Sequence, residues 1–346
     1  MDAFKTTLTR PLLTLLAFLH RENLFRLVGV IVVLIVVGAA GLTYFEENRS
    51  LPDALWWSIV TVTTVGFGDI SPTSLGGRLI GVVLMFFGIG VLGMFTATIA
   101  GVFVENRLRK ERGMGSYEAG GHIILCGWND RTEEILKDLR ADMRAADAPI
   151  VLVADIETKP VTDEQLYFVR GKVTEECLKR AGVERAATVV LVGDRSLEPI
   201  ARDAKAVLSV LTIESLNPDI YSIVELASEE NVRHCERAGA DEIIVGAEFT
   251  SRVISTATLD HGISTVLREL LSAQVGHDLI TVPVFDGLAG RPFLEVFSDL
   301  KRDHGMIALA ILPRGAGSVV TNPDADTIVG SDDRLVVVSA GERSRS

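Results

Sequence analysis

The sequence predicts an α-helical membrane unit, with two spanning helices and a re-entrant helix between them, joined to an α/β Rossmann-like domain with a small β-rich C-terminal lobe. Residues 27–45 and 79–104 carry no charge, and each run is long enough to cross a bilayer. A shorter apolar stretch and a segment with two glycines lie between them. Strand and helix patterns alternate in the rest of the chain, which is typical of a doubly wound parallel sheet.

The average composition hides a division between an apolar first part and an acidic second part. The 346 residues carry a net charge of −12, and 48% of them are hydrophobic. An acidic soluble part argues against nucleic acid as a partner and makes bound cations plausible. Cys126, Cys177 and Cys235 form no C-x-x-C pair. We therefore expect three reduced, mostly buried thiols in the cytosol and no zinc site.

Residues 1–26 are predicted to be a cytosolic segment, either an amphipathic helix on the inner membrane surface or an unstructured tail. Their basic residues precede the outer spanning helix, residues 27–45, and the acidic pair Glu46-Glu47 follows it. The positive-inside rule then places the N-terminus in the cytoplasm and the acidic turn outside, where it raises the local cation concentration. The charged segment 105–112 returns the chain to the cytoplasm. The prediction is a multi-pass protein of the plasma membrane, surrounded by lipid, with both termini cytoplasmic.

The stretch before the two glycines predicts a re-entrant helix. Pro52 stands at an early helical position, and the apolar residues 54–63 are too few to span. Such a helix is tolerated at membrane depth only where protein surrounds it, which requires an oligomer.

The glycine segment itself predicts an ion filter. Glycine reaches backbone conformations that other residues avoid, so its alternation with Val65 and Phe67 turns successive carbonyls to one side. Strands of this kind around an axis would form rings of oxygen atoms that replace the water shell of a potassium ion, and the Thr64 hydroxyl would add an inner ring. The predicted filter residues are Thr63, Thr64, Val65, Gly66, Phe67, Gly68 and Asp69.

This segment resembles the T-V-G-[YF]-G-D motif of potassium channels, and the flanking residues 54–58 and 70–72 also resemble the pore region of that family. The resemblance implies that Trp56 and Trp57 form a cuff around the filter and that Trp56 bonds Asp69. The alternative is a pair of interfacial tryptophans. Some members have a carboxylate in place of Val60 and a tyrosine in place of Phe67. The sequence therefore leaves undetermined how rigid the filter is, whereas selectivity is expected to be kept because it depends on the backbone carbonyls.

The second uncharged run predicts the inner helix. Gly88 aligns with the gating hinge of the family, and the alternative is a glycine that only allows close packing. No helix with an arginine at every third position occurs, so no voltage sensor of the usual kind is expected.

The domain organisation follows from these patterns. The predicted segments are the N-terminal cytosolic segment 1–26, the pore domain 27–106, the linker 107–121, the Rossmann-like lobe 122–248, two crossover helices 249–276 and the C-terminal lobe 277–342.

A sheet of this type binds ligands beyond the C-terminal ends of its strands. Gly127 fits the first glycine of G-x-G-x-x-G, but Asn129 and Thr132 occupy the other two glycine positions, so the dinucleotide fingerprint is weak. Asp155 ends the second strand, where an acidic residue usually holds ribose hydroxyls. The nucleotide-binding candidates are Gly127, Trp128, Asn129, Asp130, Arg131, Asp155 and Lys172; the alternative is a structural sheet without a cofactor. No Ser-His-Asp or H-E-x-x-H arrangement occurs, so no enzyme is predicted.

A Rossmann-like domain that opens with a C-G-W turn directly after a two-helix potassium pore resembles the RCK (TrkA-N/TrkA-C-like) domain of prokaryotic potassium channels. The resemblance implies a gating ring whose ligands are calcium, other cations or nucleotides. Glu225 matches one ligand position of calcium-gated relatives and Asp194 lies near another, but Ala227 stands where a second glutamate would be. Lys172 replaces an acid beside the cleft, which favours an NAD or ADP/ATP-type nucleotide over calcium, unless it is only a solvated surface lysine.

The sequence therefore predicts a ligand-gated, potassium-selective channel that is a homotetramer, since one chain carries one filter. Family rings hold eight RCK domains, and soluble copies begun at Met114 would supply those that a tetramer lacks. The competing hypothesis is a non-conducting regulatory subunit that senses nucleotide for a separate transporter. Such subunits have no transmembrane helices, so the two spans argue against it.

Overall fold

The computed structural model describes residues 24–47, 49–272, 277–285, 287–314 and 318–340. The chain divides into two compact units, and the division falls between Arg109 and Lys110. Apart from its last three residues, the predicted amphipathic segment 1–26 lies outside the described residues.

The first unit contains three helices: α1 (Leu24–Phe45), α2 (Leu51–Val62) and α3 (Leu75–Glu111). In length and composition α1 and α3 are able to cross a membrane, because each contains an 18-residue stretch of high mean hydropathy, 2.6 in α1 and 2.4 in α3. The Ser50 side chain caps α2 by accepting from the Asp53 amide at 3.3 Å. Helix α3 continues past the predicted end at Val104, because the charged residues that follow are good helix formers. Its end is marked by Gly113, whose φ is +65°.

Glycines bring the two spanning helices close together. A Cβ atom on Gly41 would lie 2.9 Å from Ile80, and one on Gly38 would lie 2.9 Å from Leu84. Small residues allow helix backbones to approach closely in a membrane. Leu42, Trp57 and Leu84 belong to the buried core of this unit.

The second unit is built on a six-stranded parallel sheet with the order β3-β2-β1-β4-β5-β6. This order is that of dinucleotide-binding folds, in which the strand order reverses between β1 and β4 while all strands stay parallel. All residues of β2 are buried, as expected for a strand covered on both faces. The strands are β1 (Ile123–Cys126), β2 (Ile150–Ala154), β3 (Leu166–Arg170), β4 (Thr188–Leu191), β5 (Tyr221–Leu226) and β6 (Glu242–Val245).

Helices connect these strands except β2 and β3, which a loop joins, and two further helices follow β6. They are α4 (Asp130–Ala141), α5 (Glu175–Arg180), α6 (Pro199–Leu216), α7 (Val232–Arg237), α8 (Gly246–Leu259) and α9 (Ile263–Leu270).

The C-terminal lobe is an antiparallel sheet of the order β7-β10-β8-β9 with one helix packed on it. Its elements are β7 (His277–Pro283), α10 (Phe293–His304), β8 (Ile307–Leu312), β9 (Val320–Thr321) and β10 (Arg334–Ala340). The helix α10 was not predicted. Its buried residues Phe293, Val296 and Leu300 recur at intervals of three and four, which is the pattern of one helix face.

Candidate functional site

The segment after α2 has an alternating backbone conformation. Thr64, Gly66 and Gly68 have φ angles of +62°, +58° and +76°, whereas Val65 and Phe67 have no positive φ. Alternation of left- and right-handed conformations turns successive carbonyl groups to the same side. The left-handed conformation of Thr64, which costs about 1–2 kcal/mol for a residue with a Cβ atom, was not expected from the sequence. Strain of this kind is typical of functional sites.

The start of the filter is held by the main chain of α2. The Val60 carbonyl accepts from the amides of Val65 at 3.0 Å and Gly66 at 3.3 Å. The Thr63 hydroxyl donates to the Ile59 carbonyl at 2.7 Å. The Val60 side chain is buried. A main-chain anchor is therefore present at the position where some relatives carry a carboxylate.

Trp56 supports the outer end of the filter. Its Nε1 donates to Asp69 Oδ2 at 2.9 Å, which is the predicted hydrogen bond. The Trp56 ring stacks on Phe67 with centroids 5.8 Å apart and an interplanar angle of 6°. Trp57, in contrast, is buried in the helical core. Stacking thus gives Phe67 a contact with the cuff although it lacks a hydroxyl.

Glu46 contributes a contact that sequence reasoning missed. Both of its carboxylate oxygens are used: Oε1 accepts from the Thr73 amide and from the amide and hydroxyl of Ser74, and Oε2 accepts from the Thr73 hydroxyl, each at 2.8 Å. These bonds, led by the Ser74 amide, lower the pKa of Glu46 to about 2. Glu46 is buried, so its carboxylate interacts with these donors rather than being exposed to attract cations from solution. It ties the end of α1 to the segment between the filter and α3.

Gly88 lies in an unbroken stretch of α3 and packs against α2. A Cβ atom there would lie 3.2 Å from the Cα of Val62. Gly90 and Gly93 have open space at the same position. The contact fits the packing alternative for Gly88 and places this glycine directly behind the residues that lead into the filter.

The second candidate site is a cleft of about 460 Å³ at the C-terminal ends of β1 to β4, the place where such sheets bind ligands. It brings together most of the residues expected from the sequence. These are Gly127, Trp128, Asn129, Asp155 and Lys172, together with Asp194 and Glu225. Asp130 and Arg131 do not line it; Asp130 is an exposed residue of the first turn of α4.

The first turn of the cleft explains why two of the fingerprint glycines are missing. Gly127 has a φ of +95°, and a Cβ atom there would lie 3.2 Å from the Val192 carbonyl oxygen. The Asn129 side chain accepts from the amides of Arg131 at 3.0 Å and Thr132 at 3.1 Å. In a glycine-rich fingerprint the amides at this helix start face a pyrophosphate. Here they are occupied by Asn129, so phosphates must be held by side chains.

Cationic side chains for that purpose line the cleft. They are Lys172, Arg195, Arg202 and Lys205, of which the last three were not predicted. The sequence signal was a basic residue just beyond β4 and two basic residues spaced by three on α6. The side chains of Lys172 and Asp155 have no hydrogen-bond or ion-pair partner among the described residues. Both are therefore available to a ligand.

The two carboxylates expected to bind a metal each have an internal cationic partner. Glu225 is ion-paired with Arg131 and accepts from the Gly193 amide at 3.1 Å. Asp194 is ion-paired with Lys205 at 3.1 Å. The Ser196 hydroxyl, more than Lys205, lowers the pKa of Asp194. Over the described residues, no group of three or more His, Cys, Asp or Glu side chains is placed to hold a metal ion.

The three cysteines are buried free thiols, as predicted. Burial raises the pKa of Cys126 to about 12 and, as the larger of two causes, that of Cys235 to about 11. Thiols with such pKa values stay protonated at neutral pH and are poor metal ligands.

A backbone segment with the predicted filter conformation between two helices able to span a membrane, together with an α/β cleft, is typical of a potassium pore with an RCK domain. Residues 29–105 match the family described as an ion channel, and residues 118–224 match the family described as the RCK domain of slowpoke-like calcium-activated potassium channels. The chain belongs to the family of potassium channels that join these two domains. The predicted resemblance and the prediction of a ligand-gated potassium channel are both confirmed.

Two curated relatives support this membership. The calcium-gated potassium channel TvoK of Thermoplasma volcanium is 30% identical over 96% of this chain and 97% of its own length. The putative potassium channel protein YugO of Bacillus subtilis is 33% identical over 68% of this chain and 72% of its own. A solved structure described as the GsuK channel bound to NAD is 20% identical, covers 92% of this chain and 57% of that chain, and gives a TM-score of 0.47. The chain is thus a membrane protein whose curated relatives are potassium channels.

Proposed function

We propose that four copies of this chain form a potassium-selective pore, with the segment Thr63–Asp69 as its filter. The observation that carries this proposal is the alternation of positive φ angles at Thr64, Gly66 and Gly68. It directs main-chain carbonyls to one side, where copies around an axis supply rings of oxygen ligands. The filter residues are exposed in the single chain, and main-chain groups at membrane depth require protein or an aqueous pore around them. A tetramer meets this requirement.

The channel lies in the plasma membrane with both termini in the cytoplasm. The basic residues before α1 and the run of charged residues at the end of α3 support this orientation through the positive-inside rule. The filter then opens to the outside near Asp69, and the α/β unit lies in the cytosol.

A nucleotide of the NAD or ADP/ATP type is the proposed ligand of the cleft. Its volume suits a small ligand of this size. Asp155 is placed to accept from ribose hydroxyls, and Lys172 with Arg202 supplies charge for phosphates. Because Asn129 occupies the helix-start amides, recognition of phosphate rests on these side chains.

Calcium is the second candidate ligand, favoured by the name of the Thermoplasma volcanium relative. The proposed ligands are Glu225 and Asp194. Calcium would have to displace Arg131 and Lys205, which now neutralise these carboxylates.

Ligand binding is transmitted through the linker 107–121 to α3, which bends near Gly88. The contacts of the linker support this path. The Gly113 carbonyl accepts from the Arg170 amide at 2.9 Å and from the Arg180 guanidinium, which also reaches the Gly115 carbonyl at 3.1 Å. The Glu111 carbonyl accepts from the Lys159 amide at 2.8 Å. Movement at the edge strand β3 therefore reaches the start of the linker directly.

The gating ring is completed by soluble copies begun at Met114, since a tetramer supplies only half of the RCK domains of a family ring. A tag at the C-terminus would reveal these copies as a second, shorter product. A single full-length product would contradict this part of the proposal.

The test of conduction is potassium flux from liposomes that contain only this protein, with NAD, ADP, ATP and calcium added separately to the cytosolic face. A channel gives potassium flux that one of these ligands changes. Absence of flux with every ligand would favour the alternative, a non-conducting nucleotide-sensing subunit.

The ligand is identified by two substitutions in the same assay. Asp155→Ala removes the ribose acceptor and is expected to weaken the response to nucleotide roughly tenfold while sparing the response to calcium. Glu225→Gln removes the charge of the central calcium ligand and is expected to weaken the response to calcium without weakening the response to nucleotide. Equal effects of both substitutions on both ligands would contradict the assignment of two sites.

A further inference from the structure

A second cavity of about 470 Å³ adjoins the nucleotide cleft, between the ends of β4 and β5 and the start of α8. Its charged lining consists of Arg131, Arg195, Arg202 and Glu225, and we call it the arginine cavity. The two cavities share Arg195, Arg202 and Glu225, whereas Arg131 lines only the arginine cavity. A ligand in one cavity is therefore sensed by side chains of the other.

The charges of the arginine cavity do not balance. Three guanidinium groups face one carboxylate, and Glu225 is already engaged by Arg131. Burial, followed by the charges of Arg195 and Arg202, lowers the pKa of Arg131. The Arg202 guanidinium donates to the carbonyls of Asp194 at 3.1 Å and Leu197 at 3.2 Å, which fixes its position and leaves donors unused. The cavity thus holds preorganised positive charge in excess.

The start of α8 adds to this charge rather than reducing it. The helix begins at Gly246, and no side chain caps its first amides. A Cβ atom on Gly246 would lie 3.4 Å from Arg131 Nη1, so the absence of a side chain leaves room beside the guanidinium. Glu248, the acidic residue of the first turn, is ion-paired with Arg252. The positive end of the helix dipole therefore faces the same space as Arg131.

We propose that the arginine cavity binds a phosphate-class oxyanion, held by Arg131, Arg195 and Arg202. Guanidinium groups match the geometry of phosphate oxygens and bind them through paired hydrogen bonds. The anion is either free inorganic phosphate or the terminal phosphate of a nucleotide in the adjoining cleft. Binding transfers Arg131 from Glu225 to the anion. The inference concerns a site other than the cleft of the proposed function and is measured without conduction.

The test is isothermal titration calorimetry on the full-length channel in detergent, in a buffer free of phosphate and sulfate, with inorganic phosphate, AMP and ATP as separate titrants. Arg131→Ala is expected to weaken anion binding at least roughly tenfold. Lys137→Ala is the matched control, because it removes an exposed cation of the same helix whose partner is Glu133. Arg131→Lys keeps the positive charge without the paired donors of the guanidinium, so it is expected to weaken anion binding less than Arg131→Ala does.

A third substitution distinguishes an anion site from a cation site by whether it tightens or weakens ligand binding. Glu225→Gln removes the carboxylate that competes for Arg131, so it is expected to tighten the binding of inorganic phosphate several-fold. At a calcium site the same substitution weakens binding. Thermal unfolding of each variant verifies that it is folded.

Two results support the proposal, and they identify the source of the anion. Inorganic phosphate that binds alone and depends on Arg131 indicates a free anion. A preference for ATP over AMP that Arg131→Ala abolishes and Lys137→Ala preserves indicates a terminal phosphate. The proposal is wrong if neither inorganic phosphate nor ATP binds in a manner that depends on Arg131. It is also wrong if Glu225→Gln weakens anion binding.

Discussion

The proposed filter and the cleft of the α/β unit use different chemical groups, main-chain groups in the filter and side chains in the cleft. The proposed filter is seven consecutive residues, and the groups proposed to bind potassium are main-chain carbonyls positioned by the φ angles of Thr64, Gly66 and Gly68. The cleft is lined by residues at the ends of five strands, β1 to β5, and by α6, and its charged groups are side chains such as Lys172 and Arg202. A site made of main-chain groups is determined by a short local motif. A site made of side chains depends on which residues, distant in sequence, the sheet brings together.

The same difference applies to how each site is supported. The filter is anchored through the Val60 carbonyl and the Trp56–Asp69 hydrogen bond, so changes to apolar side chains behind it leave the main-chain bonds in place. In the cleft, the ion pairs of Glu225 and Asp194 hold charges that any ligand must accept or displace. The specificity of the proposed filter for its ion therefore depends on backbone geometry. The specificity of the cleft for its ligand depends on the charges of its side chains.

The largest effect is expected from a change in filter geometry, Gly66→Ala. An alanine at a φ of +58° costs about 1–2 kcal/mol in each subunit and rotates the carbonyl ring. Potassium flux from liposomes is expected to fall to that of empty liposomes. Gly101→Ala is the control, because that α3 glycine has open space around it. Wild-type flux in Gly66→Ala would show that the filter does not depend on its backbone conformation.

A smaller effect is expected where α3 touches the helix that leads into the filter. Gly88→Ala places a Cβ atom 3.2 Å from the Val62 backbone and is expected to reduce potassium flux several-fold. Gly93→Ala, in open space on the same helix, is expected to change flux by less than about twofold. Equal losses in the two variants would mean that helix stiffness, rather than the contact with α2, is what matters at Gly88.

The comparison between backbone and side-chain sites is tested directly by Asn129→Gly, which frees the amides of Arg131 and Thr132 for a phosphate. We expect ADP to bind roughly three- to tenfold more tightly, measured by calorimetry. The cost is only a few tenths of a kcal/mol, because glycine is a tolerated N-cap. Ser50→Gly removes the cap of α2, far along the chain from the cleft residues, and serves as control. Unchanged or weaker ADP binding in Asn129→Gly would indicate that no phosphate reaches this turn.

The smallest effect is expected on thermal stability, when a low pH protonates Glu46 and weakens its hydrogen bonds. The folded pKa of about 2 lies below the ordinary value of 4.5, so this carboxylate stabilises the folded state fully above about pH 4.5 and progressively less as the pH falls toward 2. At pH 6 the unfolding midpoint of Glu46→Gln is expected to lie a few degrees below that of the wild type. The gap should narrow as the pH falls through this window. Glu47→Gln, at an exposed position, is the control; a gap that is constant with pH would rule out ionisation as its cause.

These contrasts explain which parts of the molecule the sequence could predict. Uncharged runs, strand alternation and the filter motif are local patterns, and they led to the two spans, the parallel sheet and the filter. The helix α10 was missed because the short apolar strands around it dominated the interpretation of the lobe. Its spacing of Phe293, Val296 and Leu300 was nevertheless visible.

The cleft was predicted only in part, for a physical reason. Gly127 and Asp155 were found because a Rossmann-like turn fixes their positions in the chain. Arg195 and Lys205 were not predicted, and Arg131 lines the neighbouring cavity rather than the cleft, because side-chain direction depends on helix orientation and on partners far away in sequence. The pairing of Arg131 with Glu225 joins residues that no local pattern connects.

The docking of the linker on β3 has a consequence for subunits of different length. A soluble copy begun at Met114 lacks the Glu111 and Gly113 carbonyls, so the Lys159 and Arg170 amides of that copy lose their main-chain acceptors. Because β3 is the outermost strand of its sheet, this leaves an open edge able to pair with another chain. Tethered and untethered subunits of one ring would then differ in hydrogen exchange at Arg170. The ring would alternate between closed-edged and open-edged members although their sequences are the same from Met114 onward.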